Sequence, residues 1–459
     1  MHLLPACVKR PFILARTIVA AWLTRRALRR RRPGYGRLSV LWCSATLALC
    51  ACSDGSDSPA VQGPFAVSLS EWTYVDSSRG TPASGDYPAL ATRTLPALVF
   101  TPDAPGRFPL LLFSHGLGAS PAAYAPLAET VAAAGFVVVA PAFPLTSLEA
   151  PAGPDPVDTQ QQPGDISFLI DVVSEALAAG EAPFAGRVDI ARIGAFGHSN
   201  GGITTLGVIA NSCCSDARIG AAVALSSTAA PYNGGVYDFS SSPPLLLVHG
   251  TQDALIPFEA SLRVFNEVAA AKGMLTLHDL DHSGFLQPSG HGFESTAGSI
   301  IDFFRAHLSG DVAAQARLRA GQVYDTGAEL LYSADGGTEV TLPLPPPITN
   351  RLAAVEPNSN LVHGQVVTVS WRNFIAGNTI NILQCSSGGT GGNDVCDFGN
   401  AHILAPNPDG EGTLLLEIIV GAVGSGRCDA TTDDCVVVVN DGGLQAEEAI
   451  LRIPISFAP

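Results

Sequence analysis

Between residues 108 and 308, short apolar runs alternate with helical patterns, and few architectures satisfy that alternation. The runs at 108–113, 136–140, 221–225, 244–249 and 274–278, with another ending at Phe196, are continuously apolar. Strands buried on both faces read this way, whereas strands wetted on one face alternate. Helical patterns at 121–134, 165–179, 258–272 and 294–308, and another after Asn200, fill the intervals. The expectation is α/β: a mostly parallel sheet covered on both faces. Such sheets bind ligands beyond the carboxyl ends of their strands, and every candidate catalytic residue falls there. Upstream, residues 64–108 read as short strands and turns, with Pro96 confining 95–101 to a sheet edge or to a strand start.

Gly197-His198-Ser199-Asn200-Gly201 fits G-x-S-x-G between a strand and a helix. Presenting a serine hydroxyl above a sheet edge requires a sharp turn and a strained backbone at the serine. Glycines two residues to either side let strand and helix approach closely. The pentapeptide alone is weak in a chain with 47 glycines, so its partners decide. A serine nucleophile needs a base, and the base needs an orienting carboxylate. Asp253 lies in the loop after run 244–249, and His282 in the loop after run 274–278. The competing reading of Asp253 is a turn-forming aspartate. His278 and His291 are the rivals of His282, the first ending its strand and the second lying in a Gly-rich stretch. Two N–H donors for an oxyanion are expected from Asn200 and from Leu117 in His115-Gly116-Leu117-Gly118. His115 and His198 read as structural. The Pro-rich loop 141–164 lies on the catalytic side and is expected to shape the pocket.

Together, Phe113 to Gly118, Gly135 to Pro141, the elbow formed by Gly197 to Gly201, the Asp253 loop and His282 resemble the α/β-hydrolase superfamily. The particular flavour resembles the dienelactone-hydrolase-like and platelet-activating-factor-acetylhydrolase-like esterases, over about 65–310. Asp76-Ser77-Ser78-Arg79 and Arg93-Thr94-Leu95 add to the likeness. Dienelactone hydrolases use a cysteine nucleophile and this chain has Ser199, so the resemblance implies serine-dependent ester hydrolysis. A small-molecule or lipid ester is the implied substrate, with no metal and no cofactor. The alternatives are a catalytically silent surface binding protein, a polyester depolymerase or a peptidase on the same fold.

The charge is unevenly spread. Ten of the 25 Lys and Arg precede residue 53 and none of the 41 Asp and Glu do. The acidic remainder offers no basic patch for nucleic acid. Residues 25–37 are strongly basic and 38–51 apolar, the pattern of an export signal. The end of that run, Leu49-Cys50-Ala51-Cys52, resembles a bacterial lipobox, which implies lipidation of Cys52 and membrane anchoring through it; an ordinary cleaved signal is the competitor. The expected order is signal 1–52, tether 53–63, hydrolase domain 64–325, linker 326–348 and a β domain over 349–459, in an extracytoplasmic protein.

Past residue 340 helical periodicity stops, and short β-rich runs are separated by Gly, Asn and Asp turns, as in a small all-β sandwich. Val355-Glu356-Pro357-Asn358-Ser359, His363 to Val369, Ile382 to Cys385 and Arg427-Cys428 through Cys435 resemble the neocarzinostatin-type immunoglobulin-like fold. That resemblance implies disulfides Cys385–Cys396 and Cys428–Cys435, each contributing about 2–3 kcal/mol by constraining the unfolded chain. Its ligand does not transfer. Cys213 and Cys214 read either as a vicinal disulfide or as two free thiols.

Overall fold

A computed structural model describes residues 63–230, 232, 234–341, 351–374, 380–389, 395–397, 402–404, 410–424, 426–432, 434–441 and 450–459. The signal, Cys52 and the tether up to residue 62 lie outside them, as does the Pro-rich stretch 342–350.

Nine strands form one sheet: β1 (Val67–Asp76), β2 (Arg93–Pro102), β3 (Phe108–Ser114), β4 (Val137–Pro141), β5 (Val188–His198), β6 (Ile219–Leu225), β7 (Leu245–Gly250), β8 (Lys272–Leu277) and β9 (Ala328–Ser333). Their spatial order is β1-β2-β4-β3-β5-β6-β7-β8-β9. Strands β3 to β8 run parallel, and β1, β2 and β9 pair antiparallel. Successive side chains on the inner strands feed two separate cores. Leu110, Leu112, Val137 and Val139 join helices α2 (Gln162–Ala179), α3 (Asn200–Ala210) and α4 (Phe258–Glu267) on one face. Leu111, Phe113, Val138 and Ala140 join α1 (Ala125–Ala133), α5 (Phe293–Ser309) and α6 (Val312–Arg319) on the other. Two-sided burial is why these strands are continuously apolar, each large buried side chain contributing about 1.5–3 kcal/mol.

Two expectations need correction. β2 is no edge: it lies between β1 and β4. Pro96 is tolerated because pairing to β4 starts only at Ala97. The linker also does not begin at 326, because β9 closes the sheet against β8. β9 is a half-buried edge strand, with a weaker apolar signature than the central ones.

The C-terminal region holds small antiparallel sheets. Leu352–Glu356, Val366–Arg372 and Gly412–Glu417 form one. His402–Leu404, Ile380–Cys385, Val436–Asp441 and Ile450–Pro454 form another. Val367, Val369 and Trp371 from the first pack with Ile380, Ile382, Val437 and Val439 from the second in one core. Disulfides Cys385–Cys396 and Cys428–Cys435 are both formed, and Cys213 is bonded to Cys214 rather than left as a thiol.

Candidate active site

Ser199 separates β5 from α3 with φ 55° and ψ −120°, a conformation a non-glycine residue adopts only when its surroundings impose it. Those surroundings are tight. A methyl group on Gly197 would fall on the Gly201 carbonyl, and one on Gly201 would fall on the Ser114 carbonyl. Both glycines of the pentapeptide are therefore fixed by strand–helix contact. The Ser199 hydroxyl makes no hydrogen bond to a described residue.

Asp253 follows β7 and His282 follows β8, and the structure brings the two together. His282 Nδ1–H donates to Asp253 Oδ2 at 2.7 Å. Asp253 Oδ1 accepts the backbone N–H groups of Leu255 and Ile256, both at 2.9 Å. Burial opposes ionisation of Asp253, but the bonds from His249 and His282 outweigh it and hold the carboxyl well below its usual range. His282 packs against the residue that precedes the serine: the His198 ring lies 4.7 Å from the His282 ring, and His198 Nε2–H donates to the His282 carbonyl at 2.8 Å. The rival His278 lies 3.6 Å from Glu329, both side chains exposed. His291 is outside these contacts, in an exposed turn.

Leu117 occupies the turn after β3. Gly116 N–H donates to the Tyr124 hydroxyl and Gly118 N–H to the Thr146 carbonyl, while Leu117 N–H has no partner among the described residues. Asn200 opens α3, where a first-turn amide has no intrahelical acceptor. Its side chain is occupied: Thr159 Oγ1–H donates to Asn200 Oδ1 at 2.8 Å, and Asn200 Nδ2–H donates to Gln162 at 3.4 Å. Thr159 sits in the loop 141–164, so part of that loop braces the elbow from inside.

Sequence reading missed His249. It is fully buried at the end of β7, with Nε2–H pointing at the Ile256 carbonyl (2.9 Å) and lying 3.1 Å from Asp253 Oδ2. The usable signal was its place four residues before Asp253 in His249-Gly250-Thr251-Gln252-Asp253. Two of the histidines read as structural are buried and neutral: desolvation lowers His115 to about 4 and His198 to about 3.

These shifts carry an acid-lability prediction. His307 is likewise lowered to about 4 by burial. A histidine whose folded pKa is depressed takes its proton first in the unfolded chain, so stability falls as pH drops below the unfolded value near 6.5. Asp158, raised to about 6 by burial, acts in the opposite direction and offsets one of the three. Between pH 6 and 5 the net loss is about 2–3 kcal/mol. Urea midpoints at pH 7, 6 and 5 measure it, and a flat series contradicts it.

Residues 84–251 match the chlorophyllase family, an α/β-hydrolase-type esterase family, and residues 353–457 match the neocarzinostatin family. No curated protein matches the chain. The two matches support an esterase-like hydrolase region followed by a neocarzinostatin-like region. Ser199 lies inside the first match; Asp253 and His282 lie beyond its end, so geometry alone associates them with it. The disulfides and the neocarzinostatin match fit an extracellular location.

Proposed function

We propose that the chain is a serine-dependent carboxylic ester hydrolase. The observation that carries this is the 2.7 Å Asp253–His282 bond, with the His282 ring 4.7 Å from His198, the residue before a serine held at φ 55° on a strand-to-helix turn. The strand order, with an antiparallel β1-β2 start and a crossover at β4-β3, fits an α/β-hydrolase sheet. In this reading Ser199 Oγ attacks the acyl carbon while His282 Nε2 takes its proton. Asp253 holds the imidazole tautomer and steadies the imidazolium. Leu117 and Asn200 N–H groups hold the oxyanion, His282 returns the proton to the leaving alcohol, and water releases the acyl group from Ser199.

Fluorophosphonate treatment of the intact protein tests the nucleophile. One adduct mapping to Ser199, together with loss of p-nitrophenyl butyrate hydrolysis, is the expected result; an adduct elsewhere, or none, overturns it. A lipid anchor at Cys52 belongs to the same proposal, supported by the basic-then-apolar sequence pattern that ends there and by the disulfides that follow it. Partition of wild type, but not Cys52→Ser, into a detergent phase is the expected outcome, and equal partition removes the anchor.

A further inference from the structure

The site contains a buried hydrogen-bond chain that the triad chemistry leaves unused. Gly116 N–H donates to the Tyr124 hydroxyl at 3.1 Å. The Tyr124 proton then goes to His198 Nδ1 at 2.9 Å, which leaves His198 Nε2–H to donate to the His282 carbonyl at 2.8 Å. Burial raises Tyr124 to about 12 and lowers His198 to about 3, so both stay neutral and the direction of the chain is fixed. One end is the peptide next to Leu117; the other is the backbone of His282.

The Gly116 carbonyl is pinned independently. Phe143 N–H donates to His115 Nε2 at 3.1 Å, which puts the His115 proton on Nδ1, where it donates to Gly116 O at 2.8 Å. The Gly116–Leu117 peptide is planar, so fixing its carbonyl fixes the direction of Leu117 N–H. Nor is there slack at Gly116: a methyl group there would lie 2.9 Å from the Tyr124 oxygen and 3.4 Å from Ser199 Cβ.

We propose that Tyr124 is a positioning residue whose hydroxyl couples the loop after β3, carrying Leu117 N–H, to the loop after β8, carrying His282. The inference rests on the ester-hydrolase reading and deepens it. A purely packing role is the alternative to be separated, because the Tyr124 ring also lies 4.8 Å from Phe113 and 5.7 Å from His198. Tyr124→Phe removes the oxygen and keeps the ring, while Tyr124→Leu removes both.

The expected result for Tyr124→Phe is a fall in kcat on p-nitrophenyl butyrate of about 10- to 100-fold. KM stays within about twofold, and binding of an alkyl trifluoromethyl ketone, which forms the tetrahedral adduct, weakens by the factor that kcat loses. A wild-type kcat in Tyr124→Phe with a loss only in Tyr124→Leu assigns the effect to packing and overturns the proposal. So does a Tyr124→Phe loss that appears in KM with inhibitor binding unchanged. If Tyr124→Leu fails to fold, Tyr124→Phe decides alone. Failure of the esterase reading is recognised separately, since the wild type then shows no Ser199-dependent turnover.

Discussion

Ser199→Ala is expected to lower kcat/KM for p-nitrophenyl butyrate by about 10⁴- to 10⁶-fold, leaving only what binding and oxyanion donors supply. The reason lies in what alanine removes and what it keeps. The backbone at 199, already held at φ 55°, stays where Gly197 and Gly201 force it, so Leu117 and Asn200 amides keep their places. Only the nucleophile goes. His282→Ala is expected to cost a comparable factor, because a serine hydroxyl without a base is inert at neutral pH. The diagnostic is non-additivity: residues acting as one unit lose their joint effect once, so Ser199→Ala/His282→Ala should match the single variants within about threefold. Steady-state kinetics on the four proteins measure this. Multiplicative losses, or turnover retained in Ser199→Ala, remove the proposed chemistry.

How much of this was legible in sequence follows from range of interaction. Ser199, Asp253 and His282 each sit at the end of a strand whose burial on both faces imposes a continuous apolar run, and local pattern is enough to place them. Local pattern therefore places Asp253 and His282 without any knowledge of their contact. Pro96 misled because a missing N–H is harmful only where a ladder bond is due, and β4 pairs from Ala97 onward. β9 escaped because an edge strand wetted along half its length carries no continuous run. His249 and Tyr124 escaped for a different reason. The role of Tyr124 is set by hydrogen bonds to Gly116 and His198, and no periodicity encodes a contact 74 residues apart in the chain; His249 bonds Asp253 only four residues on, a spacing that carries no helix or strand pattern in a post-strand loop. The same holds for Thr159 and Gln162, which meet Asn200 from a loop that reads as irregular.

The loop that carries Thr159 is tied down by charge, and the tie predicts a large loss of stability. Arg93 is completely buried in β2 and makes paired bonds to two carboxylates. It reaches Asp158 at 2.7 Å twice, and Asp165 at 2.6 and 2.7 Å. Arg79 adds a bond to Asp165 at 2.7 Å and one to Asp76 at 2.8 Å. The Arg93→Met variant keeps most of the volume but strands Asp158 and leaves Asp165 with Arg79 alone. Removing one partner of a buried ion pair costs about 3–5 kcal/mol, and urea unfolding at pH 7 should show at least that. Acid should relieve it. Burial raises the Asp158 carboxyl to about 6 even with Arg93 present, so below that pH the folded state takes up a proton and the uncompensated charge disappears. The gap between wild type and variant therefore narrows from pH 7 to pH 5, although both proteins lose stability over that range. The loss also reaches the site. Asp158 lies within the turn Pro156–Gln161 and Asp165 in the first turn of α2, beside Thr159 and Gln162, which bond to Asn200, so loosening these turns loosens the residue whose N–H is assigned to the oxyanion. Arg93→Met assayed well below its unfolding midpoint should then keep KM and lose kcat. A variant within about 1 kcal/mol of wild type at pH 7 would mean that the ion cluster is dispensable.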